Sequence, residues 1–253
     1  MASSNDRVLG LIDLFTEAQP VWTAEALIEE QDTSRATTYR DLKALVAAGF
    51  LAPVAPGAYA LGPRFIELDR QIRLADPLLK VAPPIMAAQR TKVGGTQLLF
   101  RYYGTRVLSI HEDRTDDRIE TSFDRGRPFT LFQGSHSRVI LAHLSTDQQQ
   151  RLFLQHAEAI ARVGLGKNWP EFRDTLREIR ERGVAVASDI DKDLIGVAAP
   201  IFVAPDTIGA ALVLARIKKE VDQAEIERLT KLAHAATRKI SERLQALSPV
   251  AVA

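Results

Sequence analysis

The 253-residue sequence predicts an α+β protein, with a small, mainly helical N-terminal domain and a larger domain of helices around an antiparallel sheet. Three observations support this fold class. Apolar residues recur at helical spacing near the N-terminus. Two short apolar runs flank Pro56-Gly57, which is typical of a hairpin. Beyond residue 76, strand-like runs and amphipathic helical stretches both occur, which indicates helices flanking a largely antiparallel sheet.

The first domain is expected to span residues 1–62. A helix over residues 7–18 is predicted by Val8, Leu11, Ile12 and Phe15, which share one helix face. A second short helix is expected to begin at the N-cap residue Thr23, and a third follows from Arg35. With the two short strands after the third helix, this order predicts a winged helix-turn-helix.

The third helix has the pattern expected of a helix that reads DNA. Its apolar stripe is formed by Leu42, Leu45 and Val46, whereas short polar and cationic residues occupy its first turns. Such a helix packs one face into its domain and presents Ser, Thr and Arg to the major groove. We expect Tyr39 to lie in the core. The residues predicted to contact DNA are Thr33, Ser34, Arg35, Thr37, Thr38, Arg40 and Lys43.

The charge balance counts against DNA binding. The formal net charge of the chain is only +1, and its first 76 residues hold 7 Lys/Arg against 11 Asp/Glu, a net of −4. Affinity for DNA depends strongly on neutralising phosphates. The third helix is nevertheless locally positive, because Arg35, Arg40 and Lys43 outnumber Asp41.

Residues 63–76 predict a linker helix, with a proline tolerated in its first turn. The second domain is expected to span residues 77–248. It should begin with a helix that Pro83-Pro84 interrupts, followed by a hairpin over residues 96–110. Three helices, three strands and a long amphipathic helix over residues 222–247 complete the prediction.

Several kinds of chemistry have no support in the sequence. There are no cysteines, so disulfides and thiolate metal sites are excluded. The histidines lack metal-ligand spacing, and the common nucleophile and phosphate-binding motifs are missing, so we predict no metal, no cofactor and no catalytic residues. The consecutive residues His111, Glu112 and Asp113 are expected to be exposed. No apolar run reaches the roughly 20 residues of a membrane span, and we expect a cytoplasmic protein without a membrane partner.

The order of several short motifs resembles the IclR family of bacterial transcription regulators. The matching segments are Thr37-Thr38-Tyr39-Arg40, Ala47-Ala48-Gly49-Phe50-Leu51, Gly126-Arg127-Pro128, Ile140-Leu141-Ala142-His143-Leu144 and Val197-Ala198-Ala199-Pro200-Ile201-Phe202. The resemblance implies a homodimer or homotetramer that binds double-stranded operator DNA. It also implies a GAF-like C-terminal domain that binds a small effector, often an organic or aromatic acid.

The resemblance also implies where the effector lies. Ser135 and His136 fall where the family has a small-residue turn beside its pocket, at a helix N-terminus that suits a carboxylate. Asp189 holds the family's acidic position, and Val213 and Ala215 stand where some members have serines, which favours an aromatic or aliphatic effector. The predicted effector-binding residues are Tyr102, Phe129, Phe132, Gln133, Ser135, His136, Asp189, Leu194, Gly196, Val213 and Ala215.

The sequence is therefore compatible with two functional classes. The first is a transcriptional regulator whose operator binding responds to a small acid in the C-terminal domain. The second is a metabolite-binding or enzymatic α+β protein whose N-terminal helices serve oligomerisation. The missing nucleophile, base and cofactor motifs count against the second class.

Overall fold

A computed structural model describes residues 4–31, 33–104, 106–115, 118 and 123–247. The chain divides into two compact units, Met1–Asp76 and Pro77–Ala253. Several residues covered by the sequence predictions lie outside the described residues, among them Asp32 before the third helix, Thr105 in the expected hairpin turn, and Ser248 at the expected end of the second domain.

The N-terminal unit is a winged helix-turn-helix followed by a helix. Its elements are α1 (Ser4–Asp13), β1 (Val21–Thr23), α2 (Ala24–Gln31), α3 (Arg35–Ala47), β2 (Leu51–Ala55), β3 (Ala58–Leu61) and α4 (Arg64–Ala75). The strands pair antiparallel in the order β1-β3-β2. The wing thus gains a third strand that the sequence analysis missed, and α1 ends earlier than predicted.

The missed strand β1 is tied into the unit by a side chain. The indole N–H of Trp22 donates to the carbonyl of Leu14 at 2.9 Å. The segment between α1 and α2 is therefore anchored, although its apolar pattern is too short to indicate a strand. Beneath it, Leu11, Leu27 and Leu42 are fully buried in the small core that joins the three helices.

The C-terminal unit is an antiparallel sheet with helices on both faces. Its elements are α5 (Pro77–Val93), β4 (Thr96–Tyr102), β5 (Val107–Arg114), β6 (Pro128–Phe129), α6 (Gly134–Ala142), α7 (Thr146–Arg162), α8 (Trp169–Arg182), β7 (Ala185–Ala187), β8 (Leu194–Ala204), β9 (Thr207–Ile217) and α9 (Gln223–Leu247). The strand order is β6-β5-β4-β9-β8-β7. The predicted α+β fold class is confirmed.

Alternation along β4 explains how one sheet serves two cores. Side chains of a strand point to opposite faces in turn. Accordingly, Leu98 and Phe100 belong to the core beneath α6 and α8, whereas Leu99 belongs to the core beneath α5 and α9. All three are almost fully buried. The effector residues predicted around α6 therefore lie on one defined face of the sheet.

The predicted interruption of α5 is wrong. The helix runs without a break from Pro77 to Val93, with Pro83 and Pro84 inside it. Ala82 and Met86 on either side of the prolines are fully buried against the sheet. Burial of this apolar face holds the helix together where the prolines remove hydrogen-bond donors. Among the described residues, no helix is long and apolar enough to cross a membrane.

Candidate functional site

The outer surface of α3 carries exposed cations. The side chains of Arg35 and Arg40 are 69% and 71% exposed. Lys43 is exposed one turn further along the helix. Opposite them, Leu42 and Leu45 fix the inner face of α3 in the core. A helix held in this way can present its cations to a phosphate backbone or to base edges without rearranging the fold.

The hydroxyl residues at the start of α3 mainly stabilise the helix end. Ser34 is the N-cap, and its Oγ accepts from the backbone N–H of Thr37. The hydroxyls of Thr33 and Thr38 are 2.7 Å apart. Thr38 is only 1% exposed, so its prediction as a DNA contact is wrong: the hydroxyl is used inside the helix-turn-helix. Ser34 stays exposed, and Thr33 and Thr37 are half-buried.

Asp41 does not weaken the positive surface in the way that the sequence suggested. Its carboxylate is almost buried and accepts from Arg7 Nε at 2.9 Å. Asp41 Oδ1 also lies 3.9 Å from Arg40 Nε. The charge of Asp41 is therefore shared between Arg7 of α1 and Arg40, and it opposes the exposed cations of α3 only in part.

Glu25 of α2 does oppose one of these cations. Its Oε1 accepts from Arg35 Nη2 at 3.0 Å and from the Tyr39 hydroxyl at 3.2 Å. Hydrogen bonds that the Glu25 carboxylate accepts lower its pKa. The bond from a backbone N–H has the largest effect, followed by those from Arg35 and Tyr39. Tyr39 is 41% exposed, so the prediction that it lies in the core is wrong. It stands beside Arg35 as a second candidate for contact with DNA.

A cavity opens on the face of the C-terminal sheet that α6 covers. Its volume is about 30 Å³, and it is partly open to solvent. Four segments distant in sequence form its wall: β4, the first turn of α6, the stretch from β7 to β8, and β9. The lining residues are Leu98, Phe100, Phe123, Gly134, Ser135, His136, Ala187, Ser188, Asp189, Ile190, Asp191, Leu194, Gly196, Val213 and Ala215.

His136 is the most constrained polar side chain of this wall. Its ring stacks on Phe100 at 3.8 Å between centroids with planes 6° apart, and meets Phe129 edge-on at 5.0 Å. His136 is 2% exposed, and its Nε2 has no hydrogen-bond partner among the described residues. Burial lowers the pKa of His136 to about 3, so the ring is neutral at physiological pH.

The α6 N-terminus already holds a carboxylate from the chain itself. The backbone N–H of Gly134 donates to Asp189 Oδ1 at 3.2 Å, and Arg138 Nη2 donates to Asp189 Oδ2 at 2.8 Å. The Gln133 amide also donates to the backbone carbonyl of Asp189, at 3.1 Å. The first N–H of the α6 N-terminus, where an effector carboxylate was expected, is therefore used by the Asp189 carboxylate.

Two glycines keep the cavity open. Gly134 has a φ of +81°, and a Cβ there would stand 2.4 Å from Ile190 Cδ1. A Cβ on Gly196 would stand 2.9 Å from Ser135 Oγ and 3.0 Å from Val213 Cγ1. Larger residues at either position would push wall atoms into the empty space.

The predicted effector residues divide into two groups in the structure. Seven line the cavity: Ser135, His136, Asp189, Leu194, Gly196, Val213 and Ala215. Phe129 contacts the ring of His136, and Tyr102 packs against the core beneath α6 and α8. Neither residue lines the cavity. Phe132 and Gln133 line a neighbouring surface cavity, which Asp189 also borders. These four are corrections to the predicted lining, because their side chains pack behind or beside it.

Several residues that line the cavity were not predicted from the sequence. Leu98 and Phe100 share a face of β4, and strict alternation along that strand was a signal that would have found them. Phe123 and Ile190 come from irregular segments whose position no periodicity indicates.

The prediction that His111, Glu112 and Asp113 of β5 are exposed is wrong. Asp113 is buried, and its carboxylate pairs with Arg90 Nε at 2.7 Å. His111 and Glu112 are half-buried. Within the part of the chain that the structure describes, no group of three or more His, Cys, Asp or Glu residues is placed to hold a metal ion.

Comparison with known proteins identifies both units. The model of the IclR helix-turn-helix domain matches residues 4–55, and that of the bacterial transcriptional regulator IclR C-terminal domain matches residues 75–242. The chain belongs to the IclR family. This IclR protein is a transcriptional regulator with a DNA-binding domain and a C-terminal ligand-binding domain, and it is not an enzyme.

Individual relatives agree with the family and the fold. The HTH-type transcriptional regulator KipR of Bacillus subtilis is 24% identical over 241 residues, which cover 93% of this chain and 94% of KipR. An IclR transcriptional regulator from Alicyclobacillus acidocaldarius has a TM-score of 0.79 at 19% identity, covering 96% of this chain and 99% of the other. An IclR homologue from Microbacterium hydrocarbonoxydans, complexed with 4-hydroxybenzoate, has a TM-score of 0.73 at 19% identity, covering 96% of this chain and 100% of that one.

Proposed function

We propose that this IclR regulator binds double-stranded operator DNA through α3 and that a small aromatic effector in the C-terminal cavity modulates this binding. The observation that carries the DNA half is the exposed row of Arg35, Arg40 and Lys43 on a helix whose inner face is fixed in the core. Arg35 and Arg40 would contact guanine or phosphate, and Lys43 would contact phosphate.

The effector half is supported by the shape and lining of the cavity. Apolar side chains from β4 and β9 surround a few polar groups, which is the usual composition of a small-molecule site. The relative from Microbacterium hydrocarbonoxydans was crystallised with an aromatic ligand, 4-hydroxybenzoate. These observations support an aromatic ring in the effector. They do not support its carboxylate, because the Gly134 N–H at the α6 N-terminus already donates to the Asp189 carboxylate.

We further propose that the regulator acts in the cytoplasm as a homodimer or homotetramer. Helix α4 has no buried residue, and its apolar Ile66, Ile72 and Leu74 are 75%, 53% and 56% exposed. Pairing with a second copy would remove this apolar surface from water. Two copies would also present two recognition helices, which doubles the phosphate contacts available to each operator.

An effector can regulate such a protein only if it binds two conformations unequally. The conformation that binds the effector better would be stabilised in proportion to that difference in affinity. A tenfold difference corresponds to about 1.4 kcal/mol, which is enough to change operator occupancy visibly.

The test is an electrophoretic mobility shift on the intergenic DNA upstream of the chain's own gene, with a shuffled duplex of the same composition as control. It is run at two salt concentrations. The proposal predicts a complex that survives competition by the shuffled duplex and weakens steeply as salt rises. A complex that the shuffled duplex competes away equally well would contradict operator recognition by this chain.

A further inference from the structure

The charged side chains of the cavity wall are both acidic, and Arg138, the cation that pairs with Asp189, does not line the cavity. Asp189 and Asp191 both line it, and among the lining residues that the structure describes there is no lysine or arginine. His136 is the remaining titratable side chain of the wall, and it is neutral because its ring is buried. A carboxylate placed here would meet like charges in a partly desolvated site, which is unfavourable.

Two groups that could receive an anion are already engaged. The Gly134 N–H at the α6 N-terminus and the guanidinium of Arg138 both donate to the Asp189 carboxylate, at 3.2 and 2.8 Å. An anionic ligand that used these two groups would have to displace Asp189 from both of them. The displaced carboxylate would then be left without either partner beside a second anion.

Among the described residues that line the cavity, one buried polar side-chain atom has no hydrogen-bond partner. His136 is 2% exposed and lines the cavity, and its Nε2 is buried without a hydrogen-bond partner. A buried polar group that lacks a partner costs free energy, and a ligand can recover it. The ring is also fixed in orientation by stacking on Phe100. It is therefore a preorganised hydrogen-bonding group for a neutral polar substituent.

From these observations we propose that the cavity selects an uncharged aromatic molecule with a hydroxyl, carbonyl or amide group that bonds to His136 Nε2, and that it rejects the matching carboxylate. This inference rests on the proposed function, because it takes the cavity to be the effector site. It differs from the sequence-based expectation of an organic acid. The reason is that the sequence does not show Asp189 and Arg138 paired with each other at the α6 N-terminus.

The test compares 4-hydroxybenzamide with 4-hydroxybenzoate, which have similar size and differ in charge. Isothermal titration calorimetry on the full chain without DNA measures the two dissociation constants. We expect the amide to bind at least tenfold more tightly. Equal or tighter binding of 4-hydroxybenzoate would overturn the proposal, and so would the absence of binding of either compound at millimolar concentration.

Two variants assign the selectivity to named groups. In Asp189→Asn the like charge disappears and Arg138 is released, so the preference for the amide should fall at least tenfold. Asp193→Asn removes a charge from the same loop but outside the cavity wall, and it should leave the preference unchanged. His136→Phe keeps the ring stack and removes Nε2, so the amide should bind at least tenfold more weakly. An unchanged preference in Asp189→Asn would contradict the electrostatic cause.

These experiments distinguish failure of the ligand proposal from failure of the proposed regulatory function. Calorimetry is done without DNA, so selectivity for the amide would stand even if no specific operator complex formed. Conversely, specific operator binding together with tighter binding of 4-hydroxybenzoate would retain the regulator and reject the uncharged ligand.

Discussion

The outer surface of α3 and the cavity of the C-terminal unit differ in how their polar groups meet water. On α3, Arg35 and Arg40 are mostly exposed and stay hydrated. In the cavity, His136 is buried, neutral and without a partner for Nε2. Binding at the first site should depend on the number of charges and on salt, whereas binding at the second should depend on shape and desolvation.

The largest effect is expected when positive charge is removed from the α3 surface alone. Replacing both Arg35 and Arg40 by alanine should weaken operator binding at least a hundredfold, because the proposed phosphate or guanine contacts of both side chains are lost. Calorimetry with the aromatic ligand should give an unchanged dissociation constant. The matched control is Arg173→Ala with Arg177→Ala, two exposed arginines of α8, which should retain operator affinity. Equal losses in both double variants would show that α3 has no special role.

The next effect is a pH dependence of folding stability that comes from His136 in the cavity. The pKa of His136 is about 3 in the folded chain and near its ordinary 6.5 when unfolded. Above pH 6.5 both states are neutral, so stability is unaffected. As pH falls from 6.5 toward 3, the unfolded state takes up a proton that the folded state does not. The folded chain should therefore lose up to about 1.4 kcal/mol per pH unit.

His136→Phe should lack this loss. Between pH 6.5 and 5, the free energy of unfolding of the wild type should fall by up to about 2 kcal/mol more than that of the variant, as measured by urea denaturation. His156→Phe, which replaces an exposed histidine, should follow the wild type. A parallel pH dependence in His136→Phe and wild type would mean that His136 is not held neutral.

A smaller effect tests the space in the cavity. Gly196→Ala places a methyl group close to Ser135 Oγ and Val213 Cγ1. We expect 4-hydroxybenzamide to bind about tenfold more weakly, because the wall must move into the space that the ligand needs. Gly10→Ala is the control, since no atom lies within 4 Å of its added Cβ. Unchanged ligand affinity in Gly196→Ala would place the binding site elsewhere.

The smallest effect concerns the acid that faces α3. Glu25→Gln should strengthen operator binding about threefold, because Arg35 then leaves a weaker partner to reach DNA. Glu30→Gln removes the same charge from an exposed position of α2, and it controls for the change in net charge. Mobility shifts at two salt concentrations would measure both variants. Equal strengthening in the two would mean that only net charge matters.

These two sites were not equally predictable from the sequence. The α3 surface comes from consecutive residues, so helical periodicity identified Arg35, Arg40 and Lys43 together. Thr38 was misplaced because a hydroxyl near a helix end can serve the cap as readily as a ligand. Tyr39 was misplaced because its contact with Glu25 joins two helices.

The cavity was only partly predictable, because four distant segments form it. Family resemblance found Ser135, His136 and Asp189, and the structure places all three in the wall. It did not show that Asp189 pairs with Arg138, a contact between residues 51 positions apart. The fold class followed from periodicity, whereas the continuous α5 depends on tertiary burial that outweighs the local effect of two prolines.

The most direct test of the account is whether the cavity controls the α3 surface. Fluorescence anisotropy would measure operator affinity of the wild type and Gly196→Ala, with and without 4-hydroxybenzamide at about ten times its wild-type dissociation constant. We predict equal affinities without the compound, a change of roughly five- to tenfold on adding it to the wild type, and at most about a twofold change in the variant. Wild-type affinity that does not respond to a compound shown to bind, or an equal response in Gly196→Ala, would contradict the account.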